Sequence, residues 1–320
     1  MLSTFTDHSI NAARLHLLVR AEVSLALPPY AGSMLRGAFG HALLALSPLP
    51  HDNGQPCALQ AQCAYCQVFA SQPLPAHSLQ KFSQMPVPYV VEPPTDGPQR
   101  LLAGQPFCFS LVLFGKAWQH LPTIVLAWER ALHQGLGVLR SRCTLLAVQA
   151  ESTDTHTRAP LWQAGQSYPT APTLSTPPLS LNPLAQSANL HFHTPLRLQI
   201  QGKPACAHDL SARHLLITLA RRWQLLQDVY LGPEAPQLDF AALSESAHAI
   251  QIHAQDMQWV DWGRYSDRQQ QAMQFGGLVG KLQLKGELAP FMQLLHLGQW
   301  LHVGKNTSFG LGGYTLDAQP

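Results

Sequence analysis

Apolar positions along the chain follow two periods, and the two alternate in the same order in each half. Leu15 to Leu27 alternates apolar and polar residues over much of its length, the two-residue period of a half-buried strand. Pro28-Pro29 breaks that run, and Ser33 is a candidate cap for a helix reaching about Leu46. Pro88 to Glu92 reads as a short strand, and Phe107 to Phe114 as a stronger one interrupted only by Ser110. Leu121 to His133 has helical spacing, with Pro122 in its first turn and Gly135 and Gly137 to stop it. Arg142 to Gln149 is the next strand.

The second half repeats the order. Leu190 to Gln201 reads as a strand, and Leu210 to Leu231 as the best helix, with Leu215, Leu219, Arg222, Leu226 and Val229 at helical spacing. Ala247 to Trp259 and Gly277 to Leu288 are predicted strands. Pro290 to Leu301 is a helix, and Tyr314 to Leu316 closes the chain. Strand, helix, strand, strand, helix, strand, met twice, predicts an α+β fold of two tandem ferredoxin-like (RRM-like) domains with a cleft between them. The predicted boundaries are 1–150 for the first domain, a Ser/Thr/Pro-rich linker or hairpin at 151–188, and 189–320 for the second. Residues 48–86, rich in proline and glutamine, are an insertion in the first domain.

Composition narrows this picture only a little. Hydrophobic residues make up 46% of the 320, enough for a proper core, while the formal net charge is only +2. That weak basic balance leaves nucleic-acid binding to a local stripe of charge. No apolar run approaches the ~20 residues needed to span a bilayer, so no membrane association is expected. Met1 to Ala13 lacks a secretory pattern, and three of the six cysteines fall within ten residues, which suits a reducing, cytoplasmic setting.

The most specific stretch is the glycine-rich run from His302 to Tyr314. Gly304, Gly310, Gly312 and Gly313 interrupt Lys305, Asn306, Thr307 and Ser308. Such a turn can offer backbone N–H groups to an anion, with Lys305 adding a point charge. It can equally be a turn that only reverses the chain. It is no nucleotide-binding P-loop, because five residues separate Gly298 from Gly304 and Asn306 follows Lys305 where a hydroxyl residue is required. Cys57, Cys63 and Cys66, with His51 as a fourth donor, form a partial zinc-knuckle pattern that lacks the usual closing pair.

Three stretches carry a family resemblance: Tyr30 to His41, the cysteine insertion ending Tyr65-Cys66-Gln67-Val68-Phe69, and the glycine-rich run. Phe275 to Gly280 fits as well. Together they resemble the CRISPR repeat-RNA processing endoribonucleases of the repeat-associated mysterious protein (RAMP) superfamily. The resemblance implies binding of CRISPR repeat RNA and metal-independent cleavage of the precursor transcript. Attack of a ribose 2′-hydroxyl on the adjacent phosphate would leave a 2′,3′-cyclic phosphate and a 5′-hydroxyl. It implies no catalytic cofactor, and other CRISPR-associated proteins as further partners; a zinc at the cysteine pattern would be structural. The alternative is a non-cleaving RNA-binding subunit of a CRISPR interference complex.

Such cleavage needs a proton acceptor, a proton donor and positive charge near the phosphate. His41 leads for the acid or base, because Gly37, Gly40, His41 and Leu44 share a helical face and imidazole titrates near neutrality. The resemblance also places the family's catalytic histidine in or near the first helix. The other reading is that the glycines let a neighbour pack closely, with His41 covering the contact. Tyr30 is placed to orient the ribose or assist proton transfer, and Lys305 to stabilise the phosphorane-like charge. Candidate RNA contacts are Arg36, His191, His193, Arg264, Arg268 and the loop residues Gly304, Asn306, Thr307, Ser308, Gly310 and Gly312. His302 is a reserve.

Overall fold

The computed structural model describes residues 12–49, 51, 57–70, 86–95, 100–151, 157–170, 185–232, 235–261, 263–266, 271–274 and 276–319. The chain divides into two compact units whose boundary falls between Thr176 and Pro177.

In the first unit the long strands are β1 (Ala12–Ala21), β3 (Tyr89–Glu92), β5 (Pro106–Phe114), β6 (Cys143–Glu151) and β7 (Arg158–Gln163), with β2 (Leu25–Ala26) and β4 (Arg100–Leu101) as a small separate pair. The sheet runs β3-β5-β1-β6-β7, every pair antiparallel. Helices α1 (Gly32–Ala45) and α2 (Leu121–Gln134) follow β1 and β5. This is the ferredoxin-like order with β7 added at one edge. Alternation along β1 sends Leu15, Leu17 and Val19 into the core with Phe109, Leu111 and Leu113 of β5. There they meet the helices through Phe39 of α1, which stacks on Trp128 of α2 with centroids 4.9 Å apart.

The other face of β1 carries charge. Arg14 holds Glu92 with two bonds of 2.7 and 3.0 Å and reaches Glu151 at 3.1 Å. His16 lies with Nε2 2.5 Å from Glu151 and Nδ1 3.0 Å from the Ser110 hydroxyl. Burial opposes the Arg14 charge, but Glu92 and Glu151 outweigh it and hold the guanidinium above its ordinary value. Ser110, the one polar interruption of its strand, is therefore a partner of this network.

Several boundaries differ from expectation for local reasons. β1 ends at Ala21, and Leu25 and Ala26 leave to pair with Leu101 and Arg100. α1 starts at Gly32 with Ala31 at the capping position and no side-chain cap, so Ser33 lies inside the first turn. Of the two readings of 151–188, linker or hairpin, its described first part has the hairpin form, because β7 pairs back on β6.

In the second unit, β8 (Ser187–Leu196), β11 (Gln251–Val260), β14 (Gly277–Lys285) and β15 (Tyr314–Gln319) form a sheet ordered β11-β14-β8-β15. Two small ribbons accompany it, β9 (Gln199–Ile200) with β10 (Lys203–Pro204) and β12 (Gly263–Ser266) with β13 (Gln271–Gln274). Its helices are α3 (Ala212–Tyr230), α4 (Phe240–His248) and α5 (Met292–Leu301). α4 occupies residues where strand was expected to begin. Asp239 starts it by accepting the N–H groups of Ala241 and Ala242, each at 3.0 Å. The same ferredoxin-like order thus recurs, and the fold is α+β with two such units in tandem.

Glu151 joins Arg14 and His16 in a buried network, so truncating it strands two donors. Glu151→Ala should lower stability by about 3 kcal/mol in urea unfolding. A loss below about 1 kcal/mol would mean that the network is solvated.

Candidate active site and nucleic-acid interface

The structure separates the face that sequence assigned to α1. His41 is exposed and Leu44 is 39% exposed, and the place a side chain on Gly37 would take is open. Gly40, by contrast, is buried, and a β-carbon there would run into the Phe69 ring. The two glycines therefore do different things. Gly37 leaves space beside His41, and Gly40 seats an aromatic ring from the cysteine-bearing segment.

That segment ends in a single π-helical turn, Tyr65–Phe69. Phe69 stacks with Tyr65 and Tyr89 at centroid distances of 5.6 and 6.0 Å, and the Arg36 guanidinium lies 4.5 Å over its ring. Arg36 is thus half-buried and engaged within the fold, instead of standing out as a solvent-facing RNA contact. Tyr30, two residues before α1, is partly buried. Burial, and then the nearby Glu92 carboxylate, push its phenol well above the ordinary value, so it stays protonated at neutral pH and can donate a hydrogen bond.

Ahead of the turn, the donor atoms of His51, Cys57, Cys63 and Cys66 all lie within 4.8 Å of one another. His51 Nε2 is 3.1 Å from Cys66 Sγ and 3.5 Å from Cys63 Sγ. Burial raises the Cys63 thiol, but hydrogen bonds from Ser47 and Cys66 overcome it and bring it down to about 7. Burial, reinforced by Cys63, pushes Cys66 up to about 12. The closing pair missing from the sequence pattern is supplied by Cys57 and His51. Sequence spacing alone, five and two intervening residues, does not show that the chain folds all four together.

In the second unit, alternation along β8 buries Leu190 and Phe192 and exposes His191 and His193. Register sets Lys281 of β14 and Thr315 of β15 on either side of His191, with Asp256 of β11 next to Lys281. These four residues form an exposed row across the sheet. Lys281 was not among the RNA contacts read from the sequence, although its exposure between buried Leu278 and Leu282 follows strand alternation.

The glycine-rich run ends beside His193, whose N–H donates to the Gly313 carbonyl at 3.2 Å. Lys305 is exposed at the tip. The reading of this loop as a cradle of bare amides needs correction. The N–H of Lys305 donates to Arg197 O, Gly312 to Pro195 O, and Gly313 to the Thr194 hydroxyl. Phe309 and Gly310 donate to Asn306 and Thr307 within the 3₁₀ turn Thr307–Phe309. Those amides are spent on holding the loop against β8, and Thr307 is buried. Asn306 takes a left-handed conformation (φ 61°), and Gly304 (φ 97°) would set a β-carbon 2.5 Å from Arg197 O. What the loop presents outward is Lys305, with half-buried Ser308 and Asn306 beside it. His302 is buried, its Nδ1 3.2 Å from Leu311 O, and belongs to the loop's internal bracing. Arg264 lies on β12 opposite Met273. Arg268 falls outside the described residues.

Residues 190–314 match the family described as CRISPR-associated endoribonuclease Cas6, and residues 10–174 match an N-terminal domain family designated AF_1859_N. The second half of the chain is thus similar to the Cas6 family. Among solved structures, a Cas6 product complex is 17% identical with a TM-score of 0.58, covering 97% of this chain and 100% of that one. Thermus thermophilus Cas6 is 15% identical with a TM-score of 0.52 over 97% of this chain and 100% of that one. A partial Cas6-RT-Cas1–Cas2 complex matches at 15% identity and a TM-score of 0.56, over 99% of this chain and 47% of that one. At such identities the likeness establishes the tandem fold and leaves residue roles to local geometry. No curated protein matches the sequence. Among the described residues no helix is long and apolar enough to cross a membrane.

Gly312 is the strictest position in the loop. Its φ is +73°, and a β-carbon there would overlap the Val303 carbonyl. Gly312→Ala should cost about 1–3 kcal/mol in denaturant unfolding of the whole chain. A neutral substitution would show that the loop can close in another way.

Proposed function

We propose that this chain acts as a Cas6-type endoribonuclease that binds CRISPR precursor RNA in the cytoplasm and cuts it within the repeats without a catalytic metal. A ribose 2′-hydroxyl attacks the neighbouring phosphate, and the products carry a 2′,3′-cyclic phosphate and a 5′-hydroxyl. The match of residues 190–314 to the Cas6 endoribonuclease family is the observation that carries this reading. Two local features support it. His41 offers a solvent-facing imidazole on the first helix, beside the open space left by Gly37. Lys305 stands exposed on a loop whose backbone is tied down by β8.

The division of labour follows from each group's chemistry. His41 moves a proton at the 2′-oxygen or at the departing 5′-oxygen, since imidazole both accepts and donates near neutral pH. Tyr30 keeps its proton and orients the ribose by donating a hydrogen bond. Lys305 places an ammonium near the charge that builds on the phosphate oxygens. The exposed row of Lys281, His191 and Thr315, with His193 beside it, takes up flanking RNA on the open face of the second sheet, as RNA-recognition modules do. Arg264, Arg268, Asn306 and Ser308 are further contacts in this proposal, and Arg36 supports the first helix from within. Any metal at the cysteine cluster is structural and takes no part in the cleavage step. Joining other CRISPR-associated proteins belongs to the same proposal, since one structure of this fold is a Cas6-RT-Cas1–Cas2 complex.

Because few cations line the proposed contacts, RNA affinity should fall only modestly with salt, by a slope of about −0.7 in log K per phosphate neutralised. His41→Ala should slow repeat-RNA cleavage by roughly 10²–10⁴ while leaving affinity within a few-fold, measured with excess chelator throughout. If the unmodified protein binds repeat RNA and never cuts it under those conditions, it is the non-cleaving subunit. If His41→Ala cuts at the normal rate, another residue moves the proton.

A further inference from the structure

Near α1 sits a group of side chains that the cleavage chemistry leaves unused. His51, Cys57, Cys63 and Cys66 bring three sulfurs and an imidazole nitrogen within 4.8 Å of one another. Cys63 and Cys66 are buried, and all three cysteines carry free thiols. A tetrahedral zinc has Zn–S near 2.3 Å and Zn–N near 2.0 Å, which places neighbouring donors roughly 3.5–3.8 Å apart. The 3.5 Å from His51 Nε2 to Cys63 Sγ matches that spacing, and the 3.1 Å to Cys66 Sγ needs only a small opening to reach it. The Ser47 hydroxyl at the end of α1 lies 3.5 Å from Cys63 Sγ, where it can donate to a thiolate as an outer partner of a metal ligand. Three thiolates and one imidazole select a soft or borderline cation over magnesium or calcium.

The cluster is joined to α1 by a continuous line of packed rings. Cys66 lies in the same turn as Tyr65 and Phe69. Tyr65 meets the His51 ring edge-on at 4.9 Å and stacks on Phe69. Phe69 fills the bare position at Gly40 and lies under Arg36, both on α1. A segment this short has little apolar surface of its own, so it needs a staple to hold one ring in place.

We propose that His51, Cys57, Cys63 and Cys66 bind one zinc ion, and that this ion fixes the Tyr65–Phe69 turn and thereby braces the helix that carries His41. The bracing matters for cleavage only if the assignment of His41 above is right, whereas the metal site and the bracing stand on the packing alone. Binding displaces the thiol protons to solvent.

The test uses the full chain and no RNA. Metal analysis of protein purified without added metal should give one zinc per chain. Cobalt-substituted protein should show a thiolate-to-cobalt charge-transfer band with the visible bands of a tetrahedral site. Protein that takes up neither zinc nor cobalt, or a Cys63–Cys66 disulfide found by mass spectrometry, would overturn the site. For the bracing, hydrogen exchange of the α1 amides is read in two variants. Cys63→Ser/Cys66→Ser should lose the metal, and Phe69→Ala should keep it. In both, the α1 amides should exchange about tenfold faster than in the unmodified protein. Should the double variant fail to fold, Phe69→Ala still decides the matter. Unchanged exchange there would overturn the bracing, and a failure to cut RNA would touch neither result.

Discussion

A ring standing where a side chain would otherwise be is the contact on which the first unit's candidate chemistry rests. Phe69 occupies the space over Gly40, and nothing larger than hydrogen on that α-carbon would let it do so. The consequence reaches along α1 in both directions. Arg36, one turn earlier, is drawn over the ring instead of into solvent, and His41, the next residue, is turned outward on the helix's free side. Phe39 completes the arrangement by stacking on Trp128 and meeting Tyr89 edge-on, so the helix is gripped by aromatic rings from three other elements. A proton-transfer group gains from such a setting, because misplacement by as little as 1 Å can cost on the order of 100-fold in rate.

The second unit solves a different problem by similar means. Its glycine-rich loop spends its backbone N–H groups on Thr194 and Pro195 of β8, on Arg197 just beyond it, and on its own 3₁₀ turn. Gly304 and Gly312 lie against carbonyls too close for any side chain, and Gly304, Gly310 and Gly312 take positive φ. Rigidity is what the loop gains. A lysine on a tied-down loop has less freedom to lose on meeting a phosphate than one on a floppy turn. With a net charge of only +2 across the chain, local placement of that kind has to do what a broad basic surface does in other RNA-binding proteins.

Much of the architecture was legible because it depends on period. The alternation in Phe107 to Phe114 and the helical spacing of Leu215, Leu219 and Leu226 are local signals, and the elements formed where the pattern put them. What escaped depends on contacts between distant residues. α4 was hidden because a short helix started by Asp239 has too few apolar positions to show a period. Strand β7 lies in a stretch of serine, threonine and proline that left linker and hairpin equally open, and its pairing with β6 decides for the hairpin. In the candidate sites, the helical face at Gly37, Gly40 and His41 was visible, but its division into an open half and a ring-filled half was not. The glycine-rich loop was visible as a motif. Whether its amides pointed outward could only be learned from the chain that lies against it.

The reaction itself is open to direct examination. If the attacking nucleophile is the ribose hydroxyl next to the broken bond, a repeat RNA carrying a single 2′-deoxyribose at the scissile nucleotide should bind normally and resist cleavage at that bond. The unmodified RNA should yield a 2′,3′-cyclic phosphate. Cleavage of the deoxy-substituted bond at an undiminished rate, with a 5′-phosphate on the product, would show that water attacks instead and would contradict the mechanism.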